Sequence, residues 1–320
     1  MVSSQPSATT VARDLSFAAL GVTVVLWASA FVGIRAVGDE LSPGALSLGR
    51  LLVAALVLSV LALPRRQPLP RGRTAWFVLG YGVLWFGAYN VALNAGERHL
   101  DAGTASMLIQ LGPIIIAVLA GLFLGEGFPR TLVVGLAVGF GGVVLIGLGG
   151  SGGGDEDVDL LGVALCLAAA VLYAAGVLLQ KPAMPSIGPL QVTWLGCVIG
   201  TVTCLPFAGQ LVTEARDAST GALLGVVYLG VFPTALAFTT WAYALRRVGA
   251  GPASATTYLV PAVAIGLSWW LLDEVPTALG FVGGVVCLVG VAITRLRPRR
   301  RTPDAVPAGE PSPLADAERD

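Results

Sequence analysis

Charge is scarce in this chain of 320 residues. Asp, Glu, Lys and Arg make up 12% of it, where soluble domains carry roughly a quarter. With 55% hydrophobic residues and a mean hydropathy of +0.82, a soluble domain built from it would expose more apolar surface than water tolerates. An ordinary soluble enzyme is thereby excluded, and so is disorder, because apolar surface is plentiful. Neither sign is in excess: 19 basic and 19 acidic residues cancel, which argues against a nucleic-acid partner. Histidine occurs once, at His99. Within the apolar runs there is no HExxH, no GxSxG and no pair of acids. An integral membrane enzyme would therefore lack a metal cluster, a nucleophile or an acid–base couple. The four cysteines, Cys166, Cys197, Cys204 and Cys287, sit singly in apolar runs and form no CxxC. They read as small packing residues, not as a zinc site or disulfide framework. No cofactor and no metal is implied.

What the chain does have is apolar runs long enough for a bilayer core of about 30 Å, which needs roughly 20 residues of helix. Ten candidate spans cover 17–36, 44–63, 74–95, 102–124, 131–149, 160–180, 188–208, 221–244, 251–272 and 277–295. The reading is an all-α integral membrane protein whose short connections make consecutive helices packed neighbours. Residues 1–16 lack the basic region and cleavage site of a signal peptide, so the first run reads as a retained helix. Residues 296–320, basic and then rich in Pro, Ala and acids, read as a disordered tail. Basic residues set the orientation. With the N-terminus inside, fourteen of them fall on cytoplasmic segments close to the spans, among them Arg65, Arg66, Arg71, Arg73, Arg246 and Arg247. Three, Arg35, Arg98 and Arg216, fall outside, and the outer loops carry acids such as Asp39, Glu40 and Asp155. This arrangement predicts a multi-pass protein of the cell's inner (plasma) membrane with both termini cytoplasmic.

The two halves repeat. At an offset of 148, Arg98 meets Arg246, Gly103 meets Gly251, Ser106 meets Ser254, Pro113 meets Pro261, and Leu124-Gly-Glu126 meets Leu272-Asp-Glu274. Gly135 and Gly142 meet Gly283 and Gly290. Upstream, at 146, Arg35 meets Lys181 and Pro43 meets Pro189. Each copy, 17–149 and 160–295, holds five spans with an external linker at 150–159. Five is odd, so the second copy enters the membrane reversed, and Arg98 outside against Arg246 inside agrees. Inverted five-helix repeats are the architecture of alternating-access carriers, with substrate bound near the midplane between the halves.

These residues resemble a known family. The Trp27-Ala-Ser-Ala-Phe31 run, the Pro43 to Arg50 entry to helix 2, the Leu-Gly-Glu and Leu-Asp-Glu ends of helices 4 and 9, and the glycines of helices 5 and 10 are similar to the EamA family of the drug/metabolite transporter superfamily. The resemblance covers about 17–295. It implies export or exchange of small metabolites such as amino acids or drugs, and leaves the substrate open.

Polar and aromatic residues inside spans are the candidate pathway groups. Trp27, Trp85, Tyr89, Asn90, Gln110, Tyr173, Thr257 and Tyr258 are expected to line a substrate cavity that suits a mostly apolar or amphipathic solute. Interhelical hydrogen bonding is the alternative for the polar members. Pro113 and Pro261 are expected to kink helices 4 and 9, freeing the carbonyls of Ile109 and Thr257. Arg50, about 9 Å along helix 2 from its outer end, either snorkels to Asp39 or Glu40 or faces the cavity as an anion contact. Glu126 and Glu274 are read as gate or helix-end groups, and Trp76, Trp269 and Trp270 as an aromatic belt. No acid is expected near the midplane, which points to a facilitator or exchanger, or to coupling through Glu126 or Glu274.

Two motifs mislead. Gly147-x-Gly149-x-x-Gly152 follows a membrane helix rather than a strand, so it is no dinucleotide fingerprint. Asp155-x-Asp157-x-Asp159 lacks the glycine and final glutamate of a calcium loop. The chain thus reads as a carrier whose partners are a small-molecule substrate and the lipid bilayer, with a homodimer left open. A nucleotide-sugar or sugar-phosphate exchanger would want more than one buried cation. An integral membrane enzyme is the more distant alternative, and a receptor or scaffold would have no use for the repeat.

Overall fold

In the computed structural model, residues 8–123, 130–149, 160–248 and 256–294 are described. Glu126, the linker at 150–159 and the tail at 296–320 lie outside them. The described residues are helical throughout, without a strand. The helices are α1 (Ala8–Val37), α2 (Pro43–Ala62) and α3 (Gly72–Gly96), then α4 in two pieces (Ala102–Ile109 and Gly112–Phe123), then α5 (Arg130–Gly149). They continue as α6 (Leu160–Ala183), α7 (Pro189–Cys204, extended by Ala208–Asp217), α8 (Thr220–Leu229 through Ala237–Val248), α9 (Val260–Leu272) and α10 (Ala278–Thr294).

Local chemistry starts these helices where the sequence offers a cap. Ser42 accepts from the Ala45 amide and Pro43 takes the first helical position of α2. Asp101 accepts from the Thr104 amide at 2.8 Å to start α4, and Ser219 from the Ala222 amide at 3.1 Å to start α8. Each cap satisfies one of the orphan N–H groups of a first turn. Among the described residues, six helices are long and apolar enough to cross a membrane, namely Leu15–Val37, Pro43–Arg65, Gly72–Gly96, Leu160–Ala183, Pro189–Asp217 and Thr220–Arg247. Four shorter apolar helices, Ala102–Ile116, Arg130–Ile146, Thr257–Leu272 and Ala278–Ile293, complete the set. Three long helices then two short ones is the order in both halves.

The surface is apolar and the interior holds the polar residues, the reverse of a soluble domain. Val60, Phe140, Trp76, Trp269 and Trp270 are exposed, whereas Arg50, Asn90, Asn94, Glu97 and Gln110 are buried. Two buried clusters organise the core. One joins α1 to α4, α6, α9 and α10; the other joins α2, α3, α7 and α8. Trp27 and Tyr89 pack against both, which sets them at the seam.

Two features recur at the offset of 148. A seven-residue π-helical stretch interrupts α3 at Gly82–Ala88 and another interrupts α8 at Gly230–Leu236. Both open with a glycine against which another helix lies close. A Cβ on Gly82 would come within 2.6 Å of Ile199, and one on Gly230 within 2.6 Å of Val53. Val53 and Ile199 are themselves equivalents at the offset of 146. Secondly, α5 and α10 cross in backbone contact. A Cβ on Gly142 would lie 2.6 Å from the Cys287 amide nitrogen and the Gly283 carbonyl oxygen. One on Gly290 would lie 2.6 Å from the Gly139 nitrogen and 2.7 Å from the Gly135 oxygen. Exchanging the copies turns Gly142–Gly283 into Gly290–Gly135, so the contact is reciprocal, and numbers that rise along one helix fall along the other. These two helices run antiparallel. Small residues that let backbones meet are how helices associate without a hydrophobic drive between them.

Candidate functional site

A narrow cavity of about 60 Å³ lies at the seam of the two clusters. α1 brings Trp27, α2 brings Arg50, α3 brings Trp85, Tyr89 and Asn90, and α6 brings Tyr173. Gln110 and Thr257 close it from the breaks in α4 and before α9, and Phe238 comes from α8. Its walls are aromatic edges and faces: Trp85 and Tyr173 stand 5.1 Å apart between centroids, and Trp27 and Phe238 5.3 Å apart. Tyr258 is not among the lining residues. It packs against the first core cluster, because the tight turn at Thr257–Leu259 turns Thr257 inward and its neighbour aside. Tyr81, one helical turn before Trp85, is fully buried and accepts from the Gln180 amide at 3.3 Å. Asn94 donates to Ser47 at 2.9 Å, so it joins helices rather than lining the cavity.

Arg50 does not snorkel. It is 4% exposed, and its Nε and Nη2 both donate to the Thr234 hydroxyl, at 3.2 and 3.1 Å. Thr234 in turn donates to the Leu229 carbonyl, five residues back in the π stretch. Glu40, offered by the sequence as a partner for Arg50, instead accepts from the Ser219 amide and hydroxyl at 2.6 and 2.8 Å. These bonds, the amide's foremost, hold its carboxyl below the ordinary range. Arg50 Nη1 is buried with no partner, and so is the Trp27 indole N–H. The cavity thus contains two unmatched donors, one of them cationic, within an otherwise apolar wall. A buried cation without a counter-ion is costly, and an arriving anion relieves that cost.

The freed carbonyl of Thr257 is accounted for. Pro261 cannot donate to it; Gln110 Nε2 does, at 2.6 Å, with the Val260 amide as a second donor. α4 breaks at Gln110 and Leu111, and the matching break precedes α9 at Thr257–Leu259. Pro113 and Pro261 sit directly after them. Asn90 donates to the Phe86 carbonyl at 2.7 Å inside the π stretch of α3.

At the end of the bundle away from Arg65 and Arg66, Glu274 and Arg35 form an ion pair at 3.1 Å, which ties the second half to the first. Arg35 Nη1 also donates to the Glu97 carbonyl. Sequence reasoning missed Glu97 itself, which falls between the spans 74–95 and 102–124. Its side chain is 1% exposed and neither carboxylate oxygen has a partner. Burial pushes its pKa well above the ordinary carboxylate range, a rise that Arg50 and Arg35 only partly oppose. The brevity of the link between α3 and α4, 97–101, was the available signal: so short a turn cannot leave each of its polar residues in water.

The EamA-like transporter family matches residues 16–148 and again 160–296. A probable terminal-alkyne amino-acid exporter of Streptantibioticus cattleyicolor is 36% identical over 291 residues, 91% of this chain and 97% of that protein. The uncharacterized transporter YdfC of Bacillus subtilis is 36% identical over 274 residues, 85% of this chain and 88% of that one. A crystal structure at 20% identity shares the fold with a TM-score of 0.57, covering 89% of this chain and 96% of that one.

Proposed function

The chain belongs to the EamA-like transporter family, and on that premise we propose that it is a secondary carrier, exporting or exchanging small amphipathic solutes with an anionic group, amino acids foremost, by alternating access. The observation that carries this reading is Arg50, buried in an aromatic cavity with one N–H edge unmatched, in a lining that also includes the unmatched Trp27 indole N–H. A carboxylate would meet both donors, and the Trp85 and Tyr173 faces would hold the apolar part. The exporter of amino acids among the relatives fits this chemistry. A sugar-phosphate or nucleotide-sugar solute fits less well, since Arg50 is the one buried cation among the described residues.

Two five-helix units of opposite sense, ten spans in all, provide the machinery in this reading, in a plasma membrane with cytoplasmic termini. Support comes from the paired π stretches, from the three-long, two-short order in each half, and from the antiparallel, reciprocal crossing of α5 and α10. Repeats of the same sense would bring equivalent spans together parallel. Pro113 and Pro261 act as the hinges and Arg35 with Glu274 as a latch on the outer end, while Glu126, which matches Glu274 in the sequence, keeps its reading as a gate or helix-end group.

Vesicles reconstituted with the protein test this. Time-dependent uptake of labelled phenylalanine and leucine, absent from empty vesicles and not matched by cationic drugs, is the expected result. Uptake of the cationic drugs with neither amino acid carried would overturn the assignment of an anionic group to Arg50.

A further inference from the structure

Besides Arg50 the interior holds a second buried charged group that the carrier reading has not used. Glu97 is buried at the junction of α3 and α4, one residue beyond the Gly72–Gly96 helix, with both oxygens unpartnered. Around it stand Arg35 from α1, Arg50 from α2, Asp101 before α4 and Glu274 after α9, with Tyr89 on its own helix and the Cys166 thiol on α6. Arg98, the next residue, turns away and donates to the Gly38 carbonyl. The two carboxylates offset part of what the two guanidiniums offer, and neither guanidinium makes an ion pair with Glu97. An ionised carboxylate in that position would have lost its water without gaining a counter-ion. A neutral acid is far less costly there. The Arg35–Glu274 pair adjoins Glu97, since Arg35 also donates to the Glu97 carbonyl. Separating that pair is the movement that would admit water to the carboxyl.

We propose that Glu97 is a proton-binding site, occupied while the outer end of the bundle is closed and emptied to the outer water when that end opens. Opening breaks the O–H bond and leaves a hydrated carboxylate; closing requires a proton to be taken back from outside. Each passage between the two states therefore exchanges one proton with the exterior, and acid outside favours the closed state. This rests on the alternating-access reading for its consequence in transport, though not for the existence of the site.

Infrared titration of the protein in lipid vesicles tests the site without any substrate. The carboxylic-acid C=O band of a buried acid is expected to persist at neutral pH and to be missing from Glu97→Gln. In the double variant Arg35→Ala/Glu274→Ala the latch is gone, while one cation and one anion have been removed together. There the band should titrate away lower by roughly one to three pH units, as a wetted carboxyl would. Circular dichroism checks that each variant folds, and Glu97→Asp, which keeps a titrating group, should retain a band. Absence of a Glu97-dependent band at neutral pH would overturn the proposal, and so would a band that the latch variant leaves unmoved. Failure of the vesicles to carry any solute, with both infrared results as expected, would count against the carrier reading alone.

Discussion

Consider adding one methyl group to α5. Gly142→Ala sets a Cβ 2.6 Å from two backbone atoms of α10, the Cys287 nitrogen and the Gly283 oxygen. Ordinary contact begins near 3.4 Å, and a backbone cannot swing aside as a long side chain can. The helices must part by the better part of an ångström, which costs about 1–3 kcal/mol by analogy with overpacked cores. Gly290→Ala meets Gly139 and Gly135 in the same way, at 2.6 and 2.7 Å, so it should cost a similar amount. The neighbouring Gly141 has nothing within 4 Å of its Cβ position. Gly141→Ala should be neutral or stabilising by up to about 1 kcal/mol, since alanine favours helix. The double variant Gly142→Ala/Gly290→Ala should cost less than the sum of the two, because helices already parted for one methyl have room for the other. Reversible unfolding in mixed micelles, followed by tryptophan fluorescence, measures all four. Equal losses at 141 and 142, or strict additivity of the pair, would refute the reciprocal crossing.

Three further outcomes are expected. Arg50→Gln should fold normally yet weaken the apparent affinity for a carboxylate solute by roughly 10- to 100-fold, the worth of a hydrogen bond to a charged group, as read from concentration-dependent vesicle uptake. Gln110→Leu removes a donor from the Thr257 carbonyl but leaves the Val260 amide; unfolding should show a loss of about 0.6 kcal/mol, as for other hydrogen bonds between membrane helices. Glu40, its pKa lowered by the Ser219 amide and hydroxyl, contributes stability above the ordinary glutamate value that fades as pH falls through its lowered one. Hydrogen exchange at the Ser219 amide should accelerate as pH falls below the ordinary glutamate range, relative to neighbours, and Glu40→Gln should lack that step.

Much of this was legible in the sequence, and for physical reasons. Apolar runs of membrane length announce themselves because lipid offers no partner to a polar group, and Trp27, Trp85 and Tyr173 were identifiable as interruptions of such runs. Gln110 and Thr257 were legible for another reason: Pro261 leaves a carbonyl open, and something nearby must answer it. The π stretches were not legible. They depend on where Ile199 and Val53 press against Gly82 and Gly230, contacts between elements more than a hundred residues apart. Tyr258 lies off the lining because one residue of rotation in a tight turn decides which of two adjacent side chains faces inward. Glu97 was hidden by its address, since a residue between spans is taken to be wet until the fold is known.

The partners of Arg50 and its counterpart carry one more consequence. Arg50 leans on Thr234; at the equivalent place in the other copy stand Gly196 and Phe86, where a Cβ on the glycine would come within 2.6 Å of the ring. One gene, doubled, has kept a hydrophilic version of this corner and turned the other greasy. A machine whose twin parts were identical would rest equally in either posture, like a coin on a table. Under the alternating-access reading, this corner is one place where the copies differ, and trading those two residue pairs between them should shift the balance between the two postures.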